Sequence, residues 1–188
     1  GSIVVGIANK DRKRDFTYPS RRAKDREMLP TSGGSAKFIR YIEKEVQPFI
    51  KEKYAANDEA TLIGQSLGGL LATEILFTRP MMFDKYVIIS PSLWWDDGGL
   101  LNRNPAILKE DYKLPTAVYI GVGKEGSVDG SKEHIMERDA QKLAEKVSST
   151  RSKKIKIYFD YLPDENHATV GHQAVFNAFR LLYPAKKK

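Results

Sequence analysis

Gly64-Gln65-Ser66-Leu67-Gly68, followed at once by Gly69, sets one serine between glycines at G-x-S-x-G spacing. A serine hydroxyl is a weak nucleophile near neutral pH and needs an adjacent base, nearly always a histidine. The motif ends an apolar strand-like run and opens an apolar helix-like one, Leu70 to Phe77, which is where a nucleophile elbow must stand. The tight turn there strains the serine backbone and lifts its hydroxyl above the sheet edge. Side chains at the flanking positions would collide with the neighbouring strand and helix, so small residues are a steric requirement. A Gly-rich strand-to-helix turn can instead cradle a phosphate, but neither G-x-G-x-x-G nor G-x-x-x-x-G-K-[ST] occurs in the chain.

Three histidines compete for the role of base. His167 lies in the loop Pro163-Asp164-Glu165-Asn166-His167, after the last strand and before the last helix, from which a base can swing over the elbow. His172, at the start of that helix, is the fallback, and His134 falls within an amphipathic helix expected at 131–149 as a surface side chain. No HExxH or carboxylate cluster accompanies the histidines, so no metal is expected. A carboxylate that holds the imidazole tautomer should follow the penultimate strand, in the chain order Ser, acid, His. Glu125 is nearest that strand end; Asp129 and an acid-free dyad are the alternatives. Adjacent Trp94 and Trp95 follow the strand after the elbow, and two neighbouring rings seldom point the same way, so one of them is expected to wall a substrate cleft.

Short β-branched runs alternate with helical periodicity, the pattern of an α/β domain with a mostly parallel sheet flanked by helices. Strands are expected at 3–8, 60–65, 85–90, 116–122 and 154–162, and helices at 68–78, 131–149 and 171–182. Another helix is expected from Ser35, with Phe38, Ile42, Val46 and Phe49 or Ile50 on one buried face and Pro48 kinking or interrupting it. The stretch 91–115, rich in Pro, Trp, Asp, Gly and Asn, reads as an excursion that forms a binding wall. The 188 residues suit a single domain. Gly1-Ser2 reads as an expression scar, 185–188 as a basic tail, and Ile3-Val4-Val5 opens a strand with nothing before it, so a partial domain is expected.

A net charge of +7 invites a nucleic-acid reading until it is located. Residues 10–26 hold eight basic and three acidic side chains, and Lys186, Lys187 and Lys188 add three more cations. Charge confined to one segment and a tail, without a stripe of interleaved aromatics, argues against binding to phosphate backbones. No apolar run reaches the length of a membrane span, and the compartment stays open between cytoplasm and an exported location. The absence of cysteine excludes disulfides and a cysteine nucleophile.

GQSLGG after one strand, SPSLWW after the next, GVGKE after the fourth and ENH before the last helix resemble the esterase group of α/β hydrolases. That group includes esterase D, the antigen 85 mycolyltransferases, feruloyl esterases and enterochelin-type siderophore esterases. The opening VVGIAN and the DRKRDFTYP at Asp11 to Pro19 are most similar to the siderophore branch and its bacterial relatives. The resemblance implies an α/β-hydrolase fold and cleavage of carboxylic esters through an acyl-enzyme, without a cofactor. It implies Ser66 as nucleophile, His167 as base, Glu125 as its orienting acid and the Leu67 N–H as an oxyanion donor. In that group a strand preceding the 3–8 match supplies the second oxyanion donor. Its absence here predicts a sheet lacking its first strands, completed by another chain or left with an edge that self-associates into a homo-oligomer.

The expected partner is a small ester, anionic or aromatic, with Trp94 and Trp95 as its wall. Arg12 and Arg14, in a loop leaving a strand end, are expected to receive an anionic acid moiety. An acyltransferase on the same triad, and a non-catalytic ligand- or glycan-binding domain of the same fold, are the alternative functions.

Overall fold

The computed structural model describes residues 2–128 and 132–185. Its internal contacts divide the chain into two compact units, residues 1–59 and 60–188.

In the first unit, α1 (Arg12–Asp15) and α2 (Ala23–Met28) are short helices within the basic segment. Two buried aspartates organise them. Asp15 accepts from Arg14 Nε (2.8 Å) and Asn9 Nδ2 (3.0 Å), and Asp25 accepts from Ser20 Oγ (2.7 Å). The helix from Ser35 runs as α3 (Ser35–Tyr41), a π-helical turn over Ile42–Val46, and α4 (Gln47–Tyr54). Pro48 stands at the start of α4. It has no N–H to donate and its ring crowds the carbonyl four residues back, and a widened turn is one way a helix absorbs both defects. Ile39 and Ile42 form the buried stripe, whereas Phe49, expected there, is exposed.

Residues 3–8 form no strand. Val4 is 94% exposed, and the run has neither a ladder partner nor a buried face, so β-branched composition alone does not make it a strand.

The second unit is built on four parallel strands, β1 (Thr61–Gln65), β2 (Lys85–Ile89), β3 (Thr116–Gly123) and β4 (Ile155–Leu162), in the spatial order β1-β2-β3-β4. The inner strands are covered on both faces and read as continuous apolar runs, Tyr86 to Ile89 and Val118 to Val122. Val87, Ile89 and Tyr119 point to one face, where Val170, Ala174, Ala178 and Leu182 of α7 (Val170–Leu182) pack against them. Tyr86, Ile88, Val118 and Ile120 point the other way. The crossover helices cover that face: α5 (Leu67–Thr78), joining β1 to β2, and α6 (Met136–Ser148), between β3 and β4.

Helix α5 is buried from Gly69 to Phe77, while α6 buries a stripe of Met136, Ala140, Leu143, Ala144 and Val147. Helix α6 starts five residues later than periodicity predicts, because Ser127 pairs antiparallel with Ile135 and the Met136 N–H donates to Gly126 O at 3.0 Å. The long connection from β2 to β3 is tied down by Thr150 Oγ1 on Ile107 O (3.0 Å) and Ser152 Oγ on Tyr112 O (2.6 Å). Among the described residues no helix is long and apolar enough to cross a membrane.

Candidate active site

Parallel pairing brings all four strand ends of the sheet to one edge, the edge where open α/β sheets place their ligand sites. Ser66 stands there between β1 and α5 with φ +60° and ψ −121°, a conformation that an L-residue adopts only under constraint. The constraint is visible on both sides. Ser66 N–H donates to Ile89 O of β2 at 3.1 Å, and its carbonyl accepts the N–H groups of Leu70 (3.0 Å) and Ser92 (3.1 Å). A Cβ on Gly64 would drive into the backbone carbonyl of Gly68, and one on Gly69 would lie 2.9 Å from Pro91 Cα and 3.0 Å from Ile89 O. Leu67 is the first residue of α5, so its N–H has no acceptor within the helix.

Glu125 follows β3 by two residues and its side chain is 4% exposed. Oε2 lies 2.6 Å from Nδ1 of His167; Oε1 accepts from the Ser90 hydroxyl and from Gly123 N–H at 3.3 Å. Burial pushes the Glu125 pKa up, but the hydrogen bonds from His167 and Ser90, with the attraction of the imidazole, outweigh it and hold the carboxyl below its ordinary value. His167 is half exposed, in the loop between β4 and α7. Its carbonyl accepts Gln65 Nε2 at 2.7 Å, which ties this loop to the residue before Ser66. A second tie joins the acid and histidine loops, since Lys124 N–H donates to Glu165 O at 2.7 Å. Gly123 is needed at that crossing, where a Cβ would stand 2.7 Å from Glu165 O.

The other expected residues part company. His172 is exposed on α7, and Asp129 and the terminal lysines lie outside the described residues. His134 precedes α6 instead of lying within it, and it is not a free surface side chain. Its ring nitrogens approach Asp139 (2.8 Å) and Asp97 (3.3 Å), joining α6 to the loop after β2. Trp94 and Trp95 meet edge to face at 6.0 Å. Trp95 is fully buried, which removes it from any substrate wall and makes it core; Trp94 is the partly open ring. Arg12 and Arg14 belong to α1 of the first unit, not to an open loop. There Arg14 pairs with Asp15 and the Arg12 guanidinium lies 5.7 Å from the Phe16 ring centroid.

Three contributors escaped the sequence reading. Ser90, with φ +41°, donates to Glu125; Gln65 fixes the histidine loop; and Ser92 places its hydroxyl 3.4 Å from that of Ser66. Ser90 and Ser92 were visible only as the S-P-S leaving β2, a pattern that names no partner.

A serine on a constrained turn, with a histidine–carboxylate pair on the neighbouring loops, is the arrangement of a hydrolase of the α/β class. The model of a family described as "Putative esterase" matches residues 1–181. The chain belongs to this esterase family.

Over 97% of its length the chain is 28% identical to the ferri-bacillibactin esterase BesA of Bacillus subtilis, of which the match spans 68%. It is 34% identical to the siderophore triacetylfusarinine C esterase of Aspergillus fumigatus over 58% of this chain and 39% of that one. Among solved structures, the BES protein from Bacillus cereus superposes with a TM-score of 0.77 at 32% identity, covering 96% of this chain and 66% of that one. An IroE-like serine hydrolase from Shewanella oneidensis gives 0.75 at 26% identity, over 93% and 57%. The fold of the chain is therefore that of an α/β hydrolase, and the chain spans about two thirds or less of these relatives.

Proposed function

We propose that the chain carries the catalytic centre of a serine esterase acting on siderophore-type carboxylic esters through an acyl-enzyme intermediate. The observation that carries this reading is the 2.6 Å pairing of Glu125 with His167 Nδ1, on a loop whose carbonyl is held by the neighbour of Ser66. With Nδ1–H donated to the carboxylate, the imidazole presents Nε2 unprotonated, the tautomer a general base requires. Ser66 Oγ attacks the ester carbonyl carbon while Nε2 accepts its proton, and the Leu67 N–H donates to the developing oxyanion. Collapse expels the alcohol, which takes the proton back from His167. Water, deprotonated by the same nitrogen, then attacks the acyl-enzyme and releases the acid.

The names of BesA and of the fungal triacetylfusarinine C esterase support siderophores as the substrate class. Trp94 then offers an aromatic surface beside the Ser92 turn.

Steady-state hydrolysis of a ferric catecholate triester and of simple acyl esters tests both parts. Ser66→Ala should lower kcat on the order of 10⁶-fold for every substrate, with the fold intact. Wild-type kcat/KM should favour the siderophore ester. Turnover surviving Ser66→Ala contradicts the mechanism, and a preference for simple esters contradicts the substrate class.

A further inference from the structure

Every backbone N–H in a tight turn needs an acceptor, and the turn carrying Glu125 presents four in succession. Gly123 N–H is taken by Oε1 of Glu125 itself and Lys124 N–H by Glu165 O. The next two go to one side chain. Glu137 Oε1 accepts the N–H of Glu125 at 2.8 Å, and its two oxygens lie 3.1 and 3.0 Å from the N–H of Gly126. Gly126 has φ +74°. An ionised carboxylate gives these donors charge-assisted bonds, stronger than a backbone carbonyl would make.

Glu137 lies in the first turn of α6, where a negative charge is favoured by the helix dipole. That helix is anchored in the core through Met136, Leu143 and Val147. The same helix start also bonds the turn from its other side, through Met136 N–H on Gly126 O. The backbone of Glu125 is thus set by a packed helix and not by its own loop, the kind of support that holds a reacting geometry to a fraction of an ångström.

We propose that Glu137 is a positioning residue for the esterase reaction: by gripping the N–H groups of Glu125 and Gly126 it holds the Glu125 carboxylate on His167. This rests on the reading of Ser66, His167 and Glu125 as the catalytic triad. Freed from Glu137, the N–H groups of Glu125 and Gly126 lose their acceptor, and an ångström of drift at a reacting group costs about 10²-fold in rate.

The test is steady-state kinetics on one acyl ester with the full chain and its variants Glu137→Ala, Glu137→Gln, Glu125→Gln and the double variant Glu125→Gln/Glu137→Ala. Circular dichroism accompanies each as a check of folding. Glu137→Ala should lower kcat about 10- to 100-fold with KM within about 2-fold. Glu137→Gln, whose amide oxygen still accepts one N–H, should recover part of that loss. In the Glu125→Gln background the Glu137→Ala change should cost less than about 2-fold, because the group it positions has gone.

The proposal is overturned if Glu137→Ala keeps wild-type kcat, or if it costs the same factor in both backgrounds, as a general structural role would. If Glu137→Ala does not fold, Glu137→Gln decides by the same comparison: a loss only in the presence of Glu125 supports the proposal, and an equal or absent loss overturns it. A Glu125→Gln variant with unchanged kcat refutes the triad reading itself. A slow Glu125→Gln beside an indifferent Glu137 variant refutes only the positioning role of Glu137.

Discussion

A carboxylate withdrawn from water ordinarily holds its proton more tightly, yet the Glu125 pKa is lowered because His167, Ser90 and Gly123 all hydrogen-bond to it. Its folded-state value thus falls below the ordinary 4.5. The stabilisation that ionised Glu125 contributes is therefore complete above about pH 4.5 and fades as pH falls through the lower, folded value. Urea unfolding of wild type and Glu125→Gln across pH 6 to 3 measures this. The stability difference between the two should stay constant down to about pH 4.5 and then shrink; a difference independent of pH would contradict the bonding described. At this scale the turn at Ser66 and the pairing of Glu125 with His167 were legible because chemistry restricts which residue types serve and topology restricts where they stand. The supporting residues were not. Ser90, Gln65 and Glu137 act through a hydroxyl, an amide and a helix-turn carboxylate, and only the folded register shows what each one touches.

Between β1 and α5 the chain reverses in a turn so close that Gly64 has backbone where a side chain would go. Gly64→Ala must push the start of α5 away from the strand, and α5 is buried along most of its length with little room to move. The expected cost is about 3 kcal/mol or more, read as a lowered urea midpoint, together with loss of turnover as the constrained Ser66 relaxes. A variant with wild-type stability would contradict the steric account of the motif. The inner strands β2 and β3 were legible as continuous apolar runs, since inner parallel strands are apolar on both faces, and the edge strands β1 and β4 as short apolar runs between turns. Two elements were misread, for one physical reason. The 3–8 run has strand composition without a pairing partner, and the residues before Met136 have helical periodicity but pair with Ser127 instead. Tertiary pairing decides both cases, by its lack at 3–8 and by its presence at Ile135. Trp95 shows the same limit, because adjacency to Trp94 could not reveal which ring the core takes.

On the scale of the whole molecule, most of the net positive charge lies in a folded segment. The segment 10–26 is bound up with buried Asp15 and Asp25, so its cations stand on and beside two short helices and not on an extended basic arm. Family membership, the parallel sheet and the strand-end cluster converge on one proposal, ester chemistry at a single hydroxyl. Ser66 is the group on which that convergence depends. Reaction of the protein with a fluorophosphonate, followed by peptide mass mapping, tests this most directly. The serine-hydrolase account predicts a single covalent adduct on Ser66 that is lost in Ser66→Ala and slowed in His167→Ala. An adduct on another residue, or none on correctly folded protein, would contradict it.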